Sequence, residues 1–330
     1  MGQAEEPEAA QPADPFVPDS AKEKRANEDF HLAGSPGRFH HASPQLPPRR
    51  ILIIGRHGTL ATAFGNICTS RGLPYQQTTR EELDITDPAG TDAFLAEMRP
   101  WAVINTAGYV RVDQAESEAE ACRRINTAGP INLAEVCASL GIQLLTFSSD
   151  LVFHGCQSTP YLESQAPAPL NVYGRTKAEA EKQVLQKLPR ALVVRTSAFF
   201  GPWDAHNFPI LALRALLARK PFLAAKDVTI SPTYVPDLVN ACLDLLVDGE
   251  NGIWHLVNQG EISWYDFALR LAKTAGVPRE RLQGCSMEEL GPVACRPRYS
   301  ALGSERGLLL PPIEQAIHSF CRSREHVDFP

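Results

Sequence analysis

The sequence predicts an α/β protein built on a doubly wound parallel sheet, with a smaller C-terminal α/β lobe and a disordered N-terminal tail. Three observations carry that expectation. Short unbroken apolar runs recur from residue 50 onward, stretches with apolar positions three and four apart separate them, and the first 49 residues show neither pattern. Unbroken apolar runs are how strands read when both faces of a parallel sheet are covered, and strand–helix alternation is how such sheets are wound.

Residues 1 to 49 are rich in Pro, Ala, Glu and Ser and end at Pro47-Pro48-Arg49. That composition buries too little apolar surface to offset the entropy of ordering, so the segment reads as a disordered tail or linker. His40 and His41 lie in it, but a closed metal site needs about four ligands, and no metal is expected. The strands expected next are Ile51–Ile54, Ala102–Ile104, Gln143–Phe147 and Ala191–Val194, with helices over Ala119–Leu140 and Asn171–Leu188. Residues 50–200 thus form the expected dinucleotide-binding domain. Residues 201–330 form a smaller substrate-binding lobe interleaved with it, with helices over Phe208–Arg219, Pro236–Leu246 and Ser263–Ala275 joined by Pro- and Gly-bearing loops.

Bulk properties exclude several classes. A net charge of -6 lacks the basic excess needed to neutralise nucleic-acid phosphates. Met1–Gln11 is acidic, Glu6 stands where a myristoylation signal needs Ser or Thr, and no apolar run is long enough to cross a bilayer. The 8 cysteines form no Cys-x-x-Cys and no Cys/His cluster, so they read as small buried apolar residues in a reducing compartment. A cytoplasmic protein with neither nucleic acid nor membrane as partner is expected, and a homodimer is left open.

Directly after the first strand comes Gly55-Arg56-His57-Gly58-Thr59-Leu60-Ala61, leading into a helix that begins near Leu60. Glycines there let backbone N–H groups approach a pyrophosphate at a helix N-terminus, and a small third residue lets helix and strand pack closely. The competing reading is a tight turn that binds nothing. Its place after the first core strand favours a dinucleotide site of Rossmann type, with Gly55, Gly58, Thr59 and Leu60 at the phosphates. The second strand ends in Gln76-Gln77-Thr78-Thr79-Arg80 with no carboxylate before Glu81, so Arg56 and Arg80 are candidates for a 2′-phosphate. NADPH is modestly favoured over NADH. Asp84-Ile85 would sit beside the adenine, and Asp87 before Pro88 reads as a helix cap.

Ser148-Ser149-Asp150 closes an apolar strand, and Tyr173-Gly174-Arg175-Thr176-Lys177 opens a helix. Residues four apart share a helix face, so Tyr173 and Lys177 project toward one pocket. An adjacent ammonium favours the phenolate and is expected to lower the tyrosine toward the working range. Tyr173 can then exchange a proton with a substrate oxygen while Ser149 donates a hydrogen bond to it. Taken alone, Tyr-x-x-x-Lys is also the spacing of a half-buried tyrosine beside a surface lysine. Chain order and the glycine loop favour the catalytic reading.

At these residues the sequence resembles the extended short-chain dehydrogenase/reductases, and more narrowly the dTDP-4-dehydrorhamnose reductase family. The resemblance runs from Ile51 to about Ser300. It is densest at Leu83–Asp87, Asn105–Tyr109, Val112–Glu116, Phe147–Phe153, Pro169–Lys177, Arg195–Ser197 and Ser231–Thr233. It implies reduction by NADPH or NADH of the 4-keto group of a nucleotide-linked 6-deoxyhexose, as in dTDP-rhamnose biosynthesis. Tyr173 is then the proton donor, Lys177 binds the nicotinamide ribose, and Ser149 polarises the carbonyl. Ala107 and Gly108 would line the cofactor, with Tyr109 and Asp113 near cofactor and sugar and Asn126 supporting the network. Asn207, Phe208 and Arg296 would hold the nucleotide part of the substrate. Leu151 stands where the family commonly has tyrosine, and Ile230 where it prefers glycine.

Two other readings share the fold. A nucleotide-sugar dehydratase or epimerase is disfavoured as a dehydratase, because Asp150 is followed by Leu151 and not by the Glu of the usual Asp-Glu pair. A non-catalytic regulatory protein similar to the methionine adenosyltransferase β subunit can keep Ser149, Tyr173 and Lys177 and is not excluded by them.

Overall fold

The computed structural model describes residues 50–307 and 310–324, so the tail reading and His40 and His41 lie outside the described residues. The chain first lays down β1 (Ile51–Ile54), β2 (Tyr75–Thr78), β3 (Ala102–Asn105), β4 (Gln143–Ser149) and β5 (Leu192–Thr196). Between them run α1 (Thr59–Ser70), α2 (Pro88–Met98), α3 (Ala119–Arg123), α4 (Gly129–Leu140) and α5 (Val172–Lys187). The second half adds β6 (Phe199–Phe200), α6 (Phe208–Leu217), β7 (Phe222–Ala225), β8 (Thr229–Ile230), β9 (Thr233–Tyr234), α7 (Val235–Val247) and β10 (Gly252–His255). It closes with β11 (Asn258–Gln259), β12 (Ile262–Ser263), α8 (Trp264–Thr274), β13 (Leu282–Cys285), β14 (Leu310–Pro312) and α9 (Ile313–Arg324).

Six parallel strands form the central sheet in the order β10-β5-β4-β3-β1-β2. Alternate side chains serve opposite faces. Ile51, Ile53, Ile104 and Val194 pack under α1 and α7 with Phe64 and Leu238, while Leu52, Ile54, Val103 and Val193 pack under α2, α4 and α5 with Leu95, Leu133 and Val184. Double coverage is what makes these strands unbroken apolar runs. A third core gathers Phe200, Leu213, Phe267 and Phe320 from β6, α6, α8 and α9. The remaining short strands pair as β6 with β9, β7 with β13, β8 with β12, and β11 with β14.

The doubly wound sheet is as expected, and the four expected runs are β1, β3, β4 and β5. Both edge strands escaped the apolar criterion: β2 is Tyr-Gln-Gln-Thr with one buried residue, and β10 starts at a glycine. The expected helix Ala119–Leu140 is helical throughout, but a π turn at Arg124–Ala128 separates α3 from α4. Asp87 does cap α2, accepting from the Ala89 N–H at 3.1 Å ahead of Pro88. Cysteine burial is a partial correction. Cys68, Cys122, Cys137, Cys242 and Cys285 are buried, whereas Cys156 and Cys295 are exposed, lying in loops outside the packed layers. Among the described residues no helix is long and apolar enough to cross a membrane.

Candidate active site

β1 lies between β2 and β3, so the connections leaving β1 and β3 diverge and open a crevice at the carboxyl ends of those strands. A cavity of about 290 Å³ lies there, lined by Gly55, Gly58, Arg80, Asp84, Ile85, Thr86, Thr106, Ala107 and Gly108. Gly55 has φ +119°, and a Cβ on it would stand 2.5 Å from Thr106 Oγ1, itself donating to the Ile54 carbonyl at 2.7 Å. Only glycine permits that close parallel exit. The same Cβ position lies 3.3 Å from the Ala61 methyl, so helix and strand leave little room there. Gly58 caps α1, and a Cβ there would meet nothing within 4 Å, which leaves space before the unpaired N–H groups of the first turn. A pyrophosphate fits that space and those donors. Leu60 points into the core, and Thr59 donates from Oγ1 to Asp204 Oδ2 at 2.8 Å, so the loop after β6 reaches across to the start of α1.

The two arginines singled out for a 2′-phosphate are both paired. Arg56 donates to the Gln77 carbonyl at 3.0 Å and to Glu82 at 3.1 Å, and Arg80 meets Asp84 at 3.4 Å. Glu82 accepts from the Thr79 N–H at 2.6 Å, and that bond, aided by Arg56, holds its carboxyl below the usual range. Glu82 thus folds back against the end of β2 and neutralises Arg56. Asp84 accepts from the N–H and hydroxyl of Thr86 at 2.9 and 2.8 Å.

From β3 the chain runs along both halves of the site: Ala107 and Gly108 face the first cavity, Val110 and Val112 the second. Asn126 fixes the step between them. Its Oδ1 accepts from the Tyr109 N–H at 2.8 Å and its Nδ2 donates to the Tyr109 carbonyl at 2.9 Å. Asn126 is 1% exposed and sits in the π turn, a distortion that recurs at functional sites. The Tyr109 phenol donates to Glu118 at 2.9 Å. Asn126 therefore shapes the wall through a backbone clamp on Tyr109.

The second cavity, about 450 Å³, lies over the ends of β4 and β5 beside the start of α5. Asn171 begins α5 by accepting from the Gly174 N–H at 2.7 Å, and its Nδ2 donates to the Cys295 carbonyl at 2.9 Å. Gly174 packs so tightly that a Cβ would collide with the Leu151 carbonyl oxygen. That approach sets Tyr173 against Ser149. The Ser149 hydroxyl favours the phenolate, but burial and the Asp150 carboxylate outweigh it and push the phenol above its ordinary range. Lys177 donates from Nζ to the Phe147 carbonyl at 3.0 Å, with Nζ 5.9 Å from the Tyr173 ring centre, and burial lowers its ammonium to about 8. The expected lowering of the phenol by lysine is therefore overturned in this state. Tyr173 keeps its proton at neutral pH, the form required of a donor.

Asp150 is a centre that the motif reading passed over. Its carboxylate accepts from Ser149 at 3.0 Å, Ser197 at 2.9 Å and Ser300 at 2.6 Å, and burial raises it despite the three donors. Ser300 lies 150 residues away in the chain, beyond the reach of any local pattern. Asp113 and Arg296 are brought together: Asp113 accepts from Arg296 at 3.0 Å and from the Ala294 N–H at 2.9 Å, holding Arg296 on the cavity wall. Asn207 and Phe208 stand off that wall. Asn207 caps α6 and donates to the Gly201 carbonyl at 2.8 Å, and Phe208 packs 4.6 Å from the ring of Trp264, which does line the cavity.

One turn beyond Lys177, Glu181 binds Arg195 of β5 through both oxygens at 2.8 and 2.7 Å, with the two side chains 4% and 1% exposed. Arg195 also meets His255 Nε2 of β10 at 3.2 Å. This buried group fixes α5 to the sheet directly beneath the site.

The chain matches the RmlD substrate binding domain over residues 49–314. It is 35% identical over 275 residues to the dTDP-4-dehydrorhamnose reductase of Mycolicibacterium smegmatis, covering 82% of this chain and 83% of that one. To the dTDP-4-keto-6-deoxy-D-glucose reductase of Streptomyces niveus it is 32% identical, covering 78% and 89%. The crystal structure of Bacillus anthracis dTDP-4-dehydrorhamnose reductase in complex with NADP superposes with a TM-score of 0.80 at 30% identity, covering 83% of this chain and 99% of that one. The chain belongs to the dTDP-4-dehydrorhamnose reductase family, defined by the RmlD substrate-binding domain.

Proposed function

We propose that this chain is a nicotinamide-dependent reductase of the 4-keto group of a nucleotide-linked 6-deoxyhexose, forming a dTDP-rhamnose-like product. The observation that carries the reading is the buried, protonated Tyr173 phenol set between Ser149 and the Lys177 helix face at the wall of a cavity large enough for a sugar. The β1–β3 crevice would hold a reduced nicotinamide cofactor, which would supply the hydride for the carbonyl carbon. Tyr173 delivers its proton to the carbonyl oxygen, and the Ser149 hydroxyl turns from Asp150 to donate to that oxygen as charge develops. Lys177 stabilises the phenolate left behind, which it does only while charged. Arg296, oriented by Asp113, is the cation available to the nucleotide diphosphate.

For the cofactor, Gly55, Gly58 and the first turn of α1 would hold the pyrophosphate, and Asp84, Ile85, Ala107 and Gly108 would line the adenosine and nicotinamide ends. Arg56 and Arg80 face Glu82 and Asp84, so a 2′-phosphate competes with two carboxylates for two guanidinium groups. The two guanidinium groups favour NADPH, and their carboxylate partners leave that margin small, with NADH accepted. Dependence on a reduced cofactor pool fits a cytoplasmic enzyme.

The test offers nucleotide-linked 4-keto-6-deoxyhexoses with NADPH or NADH, follows cofactor absorbance and identifies the product. Reduction at C4 is the expected result. Cofactor binding with no consumption for any sugar would replace this reading with the regulatory one.

A further inference from the structure

The Asn171 amide joins two walls of the sugar cavity from behind. Its Oδ1 accepts from the Gly174 N–H at 2.7 Å and so opens α5, whose second residue is Tyr173. Its Nδ2 donates at 2.9 Å to the carbonyl of Cys295, the residue before Arg296 and 124 positions along the chain. Tyr173 and Arg296 both line the cavity, while Asn171 lies behind them, 1% exposed.

Capping alone does not call for an amide. An N-cap needs one acceptor, and Ser or Asp supplies it as well as Asn does. The donor half of a buried amide costs desolvation unless it is paired, so its bond to Cys295 is a second task. The segment it holds is tied at further points. The Ala294 N–H donates to Asp113 Oδ1 at 2.9 Å, and the Arg296 guanidinium donates to Asp113 Oδ2 at 3.0 Å and to the Ala294 carbonyl at 2.9 Å. Pro297 packs on Gly155, where a Cβ would stand 2.4 Å from the proline Cβ. Those ties fix the segment to the loops after β3 and β4, and Asn171 fixes it to α5.

We propose that Asn171 is a positioning residue that sets the spacing between the proton donor Tyr173 and Arg296, so that a nucleotide-sugar held by its diphosphate presents its keto oxygen to the phenol. This rests on the reductase reading above. An error in that spacing costs rate as well as affinity, because the phenol must lie within hydrogen-bond reach of the oxygen.

The test separates the two halves of the amide. Asn171→Ser keeps an acceptor for the cap and loses the donor, and Asn171→Asp keeps the cap but sets an oxygen against the Cys295 carbonyl. Both are expected to weaken dTDP, measured by equilibrium titration, about 2- to 10-fold, the range of one hydrogen bond, and to raise KM for a dTDP-4-keto-6-deoxyhexose by a similar factor. Cofactor affinity, read at the far crevice, is expected to stay as it was. In an Arg296→Gln background the same substitutions should weaken dTDP by about 2-fold or less, since the group they misplace is gone. Undiminished dTDP affinity in both variants overturns the proposal. So does an equal loss with and without Arg296, or a matching loss of cofactor, either of which makes Asn171 a general support of the fold. If the unaltered chain reduces no sugar, the reductase reading itself fails and takes this inference with it, an outcome seen before any substitution is made.

Discussion

The crevice between β1 and β3 and the cavity over β4 and β5 are built by different means. The first is made of backbone: Gly55, Gly58, the opening turn of α1 and the Ala107-Gly108 strip present N–H groups and open space, and their side chains matter chiefly by being small. The second is made of side chains from many separate stretches, Ser149, Tyr173, Thr196, Trp264 and Arg296 among them, held in place by Asp150, Asn171 and Asp113. A cofactor common to many enzymes can be bound by a short local motif, whereas selection of one sugar needs groups that only the folded chain assembles. The two ends should therefore respond to substitution independently.

The strongest test of that independence is Tyr173→Phe. Loss of the proton donor is expected to reduce kcat by roughly 10²–10⁴-fold with cofactor affinity nearly unchanged, as measured by steady-state kinetics and a cofactor titration. A matching fall in cofactor affinity would show that the two ends are one coupled unit. Next comes pH. Lys177 carries its ammonium below about 8 and loses it above, so activity is expected to hold on the acid side and fall as pH rises through that value. A kcat profile flat to pH 9.5 would remove Lys177 from the charge balance at the sugar end.

The two confined glycines sharpen the contrast. Gly55→Ala forces β1 away from Thr106 and should weaken cofactor binding about 10-fold or more, whereas Gly174→Ala lifts α5 from Leu151 and should lower kcat by a similar factor. Equilibrium binding and turnover measured on both variants separate the effects. The smallest expected change is at Asp204. Its carboxylate sits at the N-terminus of α1 through Thr59, close to where a pyrophosphate would be bound. Asp204→Asn should tighten cofactor about 2- to 5-fold, the size of a single charge effect at a helix end. Weaker binding would instead make that loop a clasp on the cofactor.

Four core strands, the capping of α2, the glycine loop and the Tyr173–Lys177 helix face could be read directly from the chain. Each depends on residues within one element or turn, where spacing alone fixes which groups share a face. The edge strands β2 and β10 could not, because an edge strand has less to bury and its residues need not be apolar.

Sequence by itself determined that a phenol and an ammonium project together from α5 and that a glycine turn opens before α1. Tertiary structure decided their chemistry. Burial and Asp150 keep the Tyr173 proton on, the Phe147 carbonyl and not the phenol holds Lys177, and Glu82 stands against Arg56. Desolvation and long-range pairing set those states, and both depend on what the rest of the chain places nearby, which no local spacing encodes.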